Sequence, residues 1–249
     1  MVEAFINRAS EWVSFPLSKI NSAHFSRYRD QRLQTLKPAS VCRELGLIQH
    51  AYDIASREWD IPIQINPVAK IKKPVINNRR ERRLNGGDLL SLFKGVKGCQ
   101  NSYMRPLVLF AILTAMRRGE ILALEWRFVN LEGRTLHIPM SKNGHSRTIP
   151  LSGKALRILR YLKGQSGKEM PSHVFPLTEN TIKMAWQRMI RRSGIEDLHF
   201  HDLRHEAVSR FFERGLSVPE VALISGHRDF RIISRYTHLK PEAIAEKLN

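Results

Sequence analysis

The chain has 249 residues, of which 41 are Lys or Arg and 23 are Asp or Glu, so its formal net charge is +18. A globular chain this basic indicates a polyanionic partner, either nucleic acid or an anionic membrane surface. The longest apolar run, 107–116, is too short to span a bilayer, and the first residues lack the apolar stretch of a signal peptide. Only two cysteines occur, which excludes a disulfide framework and a Cys-rich zinc module and suits a reducing cytosol.

The N-terminal part of the sequence predicts a small bundle of helices. We expect Ser22 to cap a helix over 22–33. Ser40 precedes a longer helix over 41–59, which ends before Pro67. One broad face of the longer helix is apolar and consists of Val41, Leu45, Leu47, Ile48, Ala51, Ile54 and Ala55.

Residues 72–83 differ from their surroundings in composition, with six cations, a single acid and no helical or strand period. This composition favours an extended basic linker that contacts DNA phosphates, and an ordinary solvated loop is the alternative. The six cations are Lys72, Lys73, Arg79, Arg80, Arg82 and Arg83.

Residues 84–249 predict a larger and mainly helical unit. Residues 105–124 are apolar enough for one long buried helix or a pair of helices. Thr135–Met140 and Ser146–Leu151 flank an Asn143-Gly144 turn, which predicts a β-hairpin. The predicted fold class is therefore mainly α with a small antiparallel β-sheet, an α+β arrangement.

Further helices are expected after the hairpin, one of them over 201–213 and a short one after Asp229. Ser217 and Glu220 form a capping box for a helix that ends at Gly226. An earlier helix begins at Thr178 or Thr181, and its polar face is expected to lie in the major groove of DNA. The residues of that face are Lys183, Gln187, Arg188 and Arg191.

The start of the 201–213 helix carries a possible phosphate site. His201 and Arg204 lie one turn apart, so an imidazole that can pass a proton stands beside a guanidinium that can hold two oxygens. His201 and His205 also have the spacing of two zinc ligands. However, Asp202 stands where a zinc peptidase needs Glu, and no third ligand is obvious. A plain solvated helix start is the remaining alternative.

Four more residues could take part in chemistry on a phosphate. Arg117 ends an apolar run, where a buried guanidinium would meet an anion, although with Glu120 it could form only a surface ion pair. Lys142 stands at the tip of the hairpin, which either reaches an active site or is plain surface. His227 follows Gly226, and Tyr236 nine residues later is either a packing residue or a nucleophile assisted by nearby cations.

Taken in chain order, these positions resemble the tyrosine recombinase family, also called the phage integrase family. The resemblance covers about residues 20–240 and is carried by the stretches TAMRRGEILALEW, SKNGHSRTIPLS, HFHDLRHEAVSRFFERG and ISGHRDFRIISRYTHL. Within the family the chain is most similar to enterobacterial phage integrases and the plasmid shufflon invertase. It departs from the family pattern at Ala115, where glycine is usual, and at Phe128, where the family often has Asp.

The resemblance implies a site-specific DNA recombinase that cuts and rejoins duplex DNA through a 3′-phosphotyrosyl intermediate, in integration, excision or inversion. Tyr236 would attack phosphorus, Lys142 would protonate the departing 5′-oxygen, and His201 would assist proton transfer. Fixed cations would stabilise the transition state, so no metal, cofactor or ATP is implied. The residues that would hold the scissile phosphate are Arg117, Arg204 and His227.

The resemblance also implies an N-terminal helical core-binding domain of SAM-like fold over 1–71, joined by the linker to a catalytic domain over 84–249. The domains and linker would clamp double-stranded DNA with inverted-repeat core sites, as a homotetramer on synapsed DNA that forms from monomers in solution. Accessory DNA-bending or directionality factors would assist, no membrane partner is expected, and the protein would act in the cytoplasm at the bacterial nucleoid. Residues 241–248 would form a short helix that docks on a neighbouring protomer, or a frayed tail.

Two alternative functions remain open from the sequence. One is a DNA-binding module without strand transfer, although a complete set of six catalytic positions argues against it. The other is a type IB topoisomerase, which shares the chemistry but needs no synapsis of two DNA partners.

Overall fold

The computed structural model describes residues 12, 14–77, 82–139, 145–165, 171–234 and 236. The chain divides into two compact units, Met1–Arg80 and Glu81–Asn249. Within the described ranges, no helix has both the length and the apolar character that crossing a membrane requires.

The first unit is built on two helices, α1 (Ser22–Leu33) and α2 (Pro38–Glu58), after a short 3-10 turn at Leu17–Lys19. Glu44 on α2 joins the two helices because its carboxylate accepts hydrogen bonds from Tyr28 at 2.9 Å and from Arg32 at 2.7 Å. The buried apolar residues of this unit come from both helices and from the segments before and after them. They are Trp12, Phe25, Tyr28, Val41, Leu45, Val68 and Ile71.

Three details of the first unit correct the sequence predictions. Asn21, not Ser22, caps α1, because the Ser22 hydroxyl instead donates to the Pro67 carbonyl at 2.7 Å. The longer helix begins at Pro38, whose fixed φ suits a first helical position. Its apolar face is narrower than predicted, because Leu47 is 54% exposed.

The second unit is mainly helical. The helices in chain order are α3 (Asp88–Lys97), α4 (Met104–Thr114), α5 (Arg118–Leu122), α6 (Gly153–Gln165), α7 (Glu179–Ser193), α8 (Asp202–Glu213), α9 (Val218–Ser225) and α10 (Phe230–Ser234). The central helix is α4, which is buried along most of its length and packs against α6 and α8, while α3 packs against α7.

A three-stranded antiparallel sheet lies between α5 and α6 in the chain. Its strands β1 (Val129–Asn130), β2 (Thr135–Ile138) and β3 (Arg147–Pro150) are paired in the order β1-β2-β3. The predicted hairpin pairing of β2 with β3 is confirmed, and Ile138 lies opposite Arg147. The predicted Asn143-Gly144 turn and Lys142 lie outside the described residues.

The predicted helix boundaries of the second unit are largely confirmed. Residues 105–124 form a pair of helices, not one. Thr178 caps α7 by accepting a hydrogen bond from the Thr181 backbone at 3.1 Å. The capping box of α9 is present, and its helix ends at Gly226, where φ is +72°. The left-handed φ favours glycine at that position.

Candidate active site

The site begins at the break between α4 and α5. Ala115 ends α4 with a left-handed φ of +52°, a conformation that costs a non-glycine residue about 1–2 kcal/mol. This is the position where the family pattern has glycine. The break turns the Ala115 carbonyl toward Arg204, whose Nη1 donates to it at 2.6 Å. It also leaves Arg117 in extended conformation, just before α5.

Glu120 on α5 is a buried carboxylate that accepts four hydrogen bonds. Oε1 accepts from Nη1 of Arg117 at 2.8 Å and from Nη1 of Arg147 at 3.0 Å. Oε2 accepts from the Arg117 backbone at 2.9 Å and from Nη2 of Arg147 at 2.8 Å. Burial raises the pKa of Glu120, but the hydrogen bonds and charges of Arg147 and Arg117 outweigh burial and lower the pKa to about 2. The carboxylate is therefore ionised at neutral pH.

Arg204 on α8 is a buried guanidinium that faces the same cluster. Besides the Ala115 carbonyl, it contacts the imidazole of His227, with Nη2 at 3.2 Å from Nε2. Burial, and after it the charge of Arg117, lower the pKa of Arg204 to about 9 against the opposing effect of Glu120. Arg204 thus stays protonated at neutral pH in an environment that favours a nearby anion.

The orientation of His227 is set by Ser225 at the end of α9. The Ser225 hydroxyl donates its hydrogen to the Val221 carbonyl at 2.6 Å, so its oxygen accepts from Nδ1 of His227 at 2.7 Å. We therefore assign a proton to Nδ1 of His227, and Nε2 lies toward Arg204.

Tyr236 lies at the other side of the site, two residues beyond α10. Its hydroxyl is hydrogen-bonded to Nδ1 of His205, and the two rings are stacked with centroids 5.9 Å apart. The ring of His205 in turn meets His201 edge-to-face at 4.9 Å. Desolvation and the charge of Arg204 lower the pKa of His201, so His201 is a neutral base at neutral pH. Tyr236 also packs against the apolar cluster that contains Ala115, whose carbonyl accepts the hydrogen bond from Arg204.

Together these groups form an anion site beside a phenol. The guanidinium groups of Arg117 and Arg147 bind the carboxylate of Glu120, and a third guanidinium, that of Arg204, contacts the Ala115 carbonyl at the same break. Positive charge therefore exceeds negative charge within this cluster, which suits a bound phosphate whose charge grows during transfer. Contacts link Arg117 to Gly226, next to His227, and link Arg204 to His227. His205 links His201 to Tyr236, while Lys142 lies outside the described residues.

The groove beside His201 is bordered by part of the polar face of α7. Lys183, Gln187 and Arg191 line this groove together with Arg118 and His201. Arg188 lies elsewhere, in a second groove with the segment 98–101 and Arg192. The structure therefore separates Arg188 from the other three predicted DNA-contacting residues of α7.

The predicted basic linker is partly engaged in intramolecular contacts. Arg82 pairs with Asp88 at 3.0 Å, and Arg83 pairs with Glu206 at 3.2 Å and with Glu213. Lys72 and Lys73 are exposed, and Lys73 donates to Gln49 at 3.0 Å. Arg79 and Arg80 lie outside the described residues.

Three parts of the site were missed from the sequence. Arg147 on β3 binds both oxygens of Glu120, Ser225 orients His227, and His205 contacts the Tyr236 hydroxyl. The sequence marked His205 only as a possible zinc ligand, and it left Glu120 as a possible surface pair. No local pattern distinguishes these residues, which are Arg147, Ser225 and His205.

Comparison with known proteins finds a family match over the part of the chain that contains this site. A sequence model described as the Phage integrase family matches residues 82–243. The shufflon-specific DNA recombinase of Escherichia coli is 39% identical over 242 residues, which cover 94% of this chain and 62% of that protein. The chain thus spans less than two thirds of the length of that relative.

Solved structures share the fold at low sequence identity. The Tn1549 transposon integrase in complex with circular intermediate DNA has a TM-score of 0.79 at 13% identity, covering 99% of this chain and 91% of that one. A lambda integrase tetramer bound to a Holliday junction has a TM-score of 0.75 at 21% identity, covering 95% and 72%. The predicted fold class, mainly α with a small antiparallel sheet, is confirmed.

Proposed function

The chain belongs to the phage integrase family of tyrosine recombinases, and we propose that it is a site-specific recombinase that cuts and rejoins duplex DNA through a 3′-phosphotyrosyl link. The observation that carries this proposal is the contact of the Tyr236 hydroxyl with His205, which directly follows Arg204 in α8, while Arg117 is held nearby by the buried carboxylate of Glu120. The family relatives and the DNA-bound structures of similar fold support it.

In the proposed cleavage step, Oη of Tyr236 forms a bond to phosphorus and the bond from phosphorus to the 5′-oxygen breaks. Arg117, Arg204 and His227 hold the phosphate oxygens and stabilise the added negative charge. Lys142 supplies the proton to the 5′-oxygen, as the family resemblance implies. In the reverse step a 5′-hydroxyl attacks the phosphotyrosine, so the energy of the phosphodiester is conserved and no ATP is consumed.

Nδ1 of His205 accepts the proton of the Tyr236 hydroxyl in the tautomer that carries its own proton on Nε2. The ring of His201 meets the ring of His205 edge-to-face. We therefore assign contact with the nucleophile to His205 and place His201, a neutral base, next to the phosphate site.

The proposed DNA contacts are divided between two kinds of surface. Lys183, Gln187 and Arg191 line the groove that contains His201, which suits base contacts in the major groove close to the cleaved phosphate. Lys72 and Lys73 are exposed in the linker, where they suit phosphate contacts together with Arg79 and Arg80. Arg82 and Arg83 add less, because acidic partners already neutralise them.

The proposed partner is double-stranded DNA with inverted-repeat core sites, bound by a tetramer that assembles on synapsed DNA. A tetramer of a protein with the same fold has been seen on a Holliday junction. Accessory bending or directionality factors would set the direction of recombination. The reaction takes place where plasmid or chromosome lies, at the bacterial nucleoid.

The test uses a DNA site selected by binding from a random library and then nicked close to the cleavage position. The short fragment diffuses away after cleavage, so a recombinase becomes trapped as a covalent adduct, whereas a binding module only shifts the mobility of the DNA. Cleavage should persist in excess EDTA. Absence of an adduct on bound DNA, or cleavage that needs added Mg²⁺, would contradict the proposal. Relaxation of supercoiled DNA without synapsis would instead indicate the topoisomerase.

A further inference from the structure

Arg147 has an unusual position for a charged strand residue. It is the first residue of β3, and its side chain is only 12% exposed. Its guanidinium forms a two-pronged pair with Glu120, in which the two distances are 3.0 and 2.8 Å. Such parallel pairing fixes the carboxylate in direction as well as in charge.

The pairing of Arg147 with Glu120 determines which groups of Arg117 stay available for a phosphate. Each oxygen of Glu120 accepts one hydrogen bond from Arg147 and one from Arg117. Arg117 thus gives the carboxylate one Nη group only, while its other Nη group contacts the Gly226 carbonyl at 3.3 Å. Because Arg147 supplies half of the compensation, Arg117 keeps a side chain that is 40% exposed and able to meet a phosphate.

Arg147 also contacts the segment that carries His227. Its Nε donates to the Ile224 carbonyl at 3.3 Å. At Gly226 an added Cβ would stand 2.7 Å from Cζ of Arg147, so the guanidinium occupies the space that a side chain would need. The strand of the hairpin is thereby joined to the end of α9, directly before His227.

We propose that Arg147 is a positioning residue that fixes Arg117 and His227 relative to strand β3. This inference rests on the proposed recombinase function and deepens it. Arg147 acts through Glu120 and the Ile224 carbonyl, so its replacement changes the geometry of the phosphate site. Without Arg147, the buried carboxylate has Arg117 as its remaining cation and draws both Nη groups of Arg117 toward itself.

The test compares Arg147→Met, Glu120→Gln and the double variant in the nicked-substrate assay. At saturating DNA we expect Arg147→Met to slow adduct formation by about 100-fold, the effect of a misplacement of about 1 Å, while the Kd for DNA changes less than about twofold. The double variant carries neither the carboxylate nor its partner, so Arg117 is released. We expect the double variant to form the adduct about tenfold faster than Arg147→Met.

Two further variants make the result independent of folding. Arg147→Lys keeps the charge but can bond one oxygen only, and we expect about a tenfold loss of rate with an unchanged Kd. Arg127→Met removes an exposed arginine that pairs with Glu125 at 2.9 Å, and it should keep the wild-type rate. If Arg147→Met does not fold, the comparison of Arg147→Lys with wild type decides.

The outcomes separate this inference from the proposed function. A wild-type rate in Arg147→Met or in Arg147→Lys, or a double variant no faster than Arg147→Met, overturns the positioning role and leaves the recombinase function intact. No adduct from the wild-type protein on bound DNA overturns the function, and the positioning role fails with it.

Discussion

The two halves of the site are held in different ways. In the cation half, the buried carboxylate of Glu120 joins two segments of the chain through four hydrogen bonds from Arg117 and Arg147. The nucleophile half depends on a five-residue helix and on the contact of Tyr236 with His205. Charge stabilisation needs fixed dipoles and charges before the reaction, whereas a nucleophile must move toward phosphorus during it.

The largest effect is expected from a variant that removes only the nucleophile and leaves the cation half unchanged. We expect Tyr236→Phe to form no covalent adduct and to keep DNA affinity within about twofold, because the phenol oxygen is lost and the cation half is untouched. The nicked-substrate assay and a mobility-shift titration measure the two quantities. An adduct that persists in the Phe variant would show that another residue attacks the phosphate.

The contact between Tyr236 and His205 is the next test. We expect His205→Ala to slow adduct formation by about 10²–10³-fold, since the hydroxyl loses its first proton acceptor. The matched variant His201→Ala removes the ring next to His205 but not the contact with the hydroxyl. If His205→Ala cleaves at the wild-type rate while His201→Ala does not, the proton passes to His201 directly.

Much of the scaffold was predictable because the signals for it are local. The hairpin of β2 and β3, the Thr178 cap and the capping box of α9 each depend on residues within about twenty positions of each other. The candidate residues Arg117, Arg204, His227 and Tyr236 were located by resemblance to a family. From their spacing alone, Arg117 could have formed only a surface ion pair and Tyr236 could have been a packing residue.

The parts that were not predictable depend on contacts between distant positions. Arg147 lies 27 positions from Glu120 and 77 from Ile224, and no periodicity links them. The prediction that Ser22 caps α1 was wrong for the same reason, because the Ser22 hydroxyl donates to the carbonyl of Pro67, 45 positions away. The polar face of α7 was predicted as one surface, but the surrounding segments divide it into two grooves.

Because the two grooves divide the polar face of α7, we predict that residues in the two grooves contribute differently to the choice of DNA site. Gln187 shares the groove of His201, whereas Arg188 lies in the second groove. We expect Gln187→Ala to lose about 1–3 kcal/mol of preference for the selected site over a scrambled duplex. Arg188→Ala should change that preference by less than about 0.5 kcal/mol. Affinities for both duplexes at several salt concentrations measure this, and equal effects of the two variants would refute the two-groove arrangement.

A last expected effect concerns the stability that the cation half contributes. The pKa of Glu120 is about 2 in the folded chain and near 4.5 in a free side chain, so the folded state binds this proton less readily than the unfolded state. The resulting stability is present above about pH 4.5 and is lost as the pH falls toward 2. Glu120→Gln has no such proton to bind. We therefore expect the difference in unfolding free energy between wild type and Glu120→Gln to shift by about 2 kcal/mol between pH 6 and pH 3, at the expense of the wild type. Urea unfolding of both proteins at the two pH values measures this shift. A constant difference would mean that Arg147 and Arg117 do not hold the carboxylate ionised, and the cation half would then lack the fixed charge on which its contrast with the nucleophile half depends.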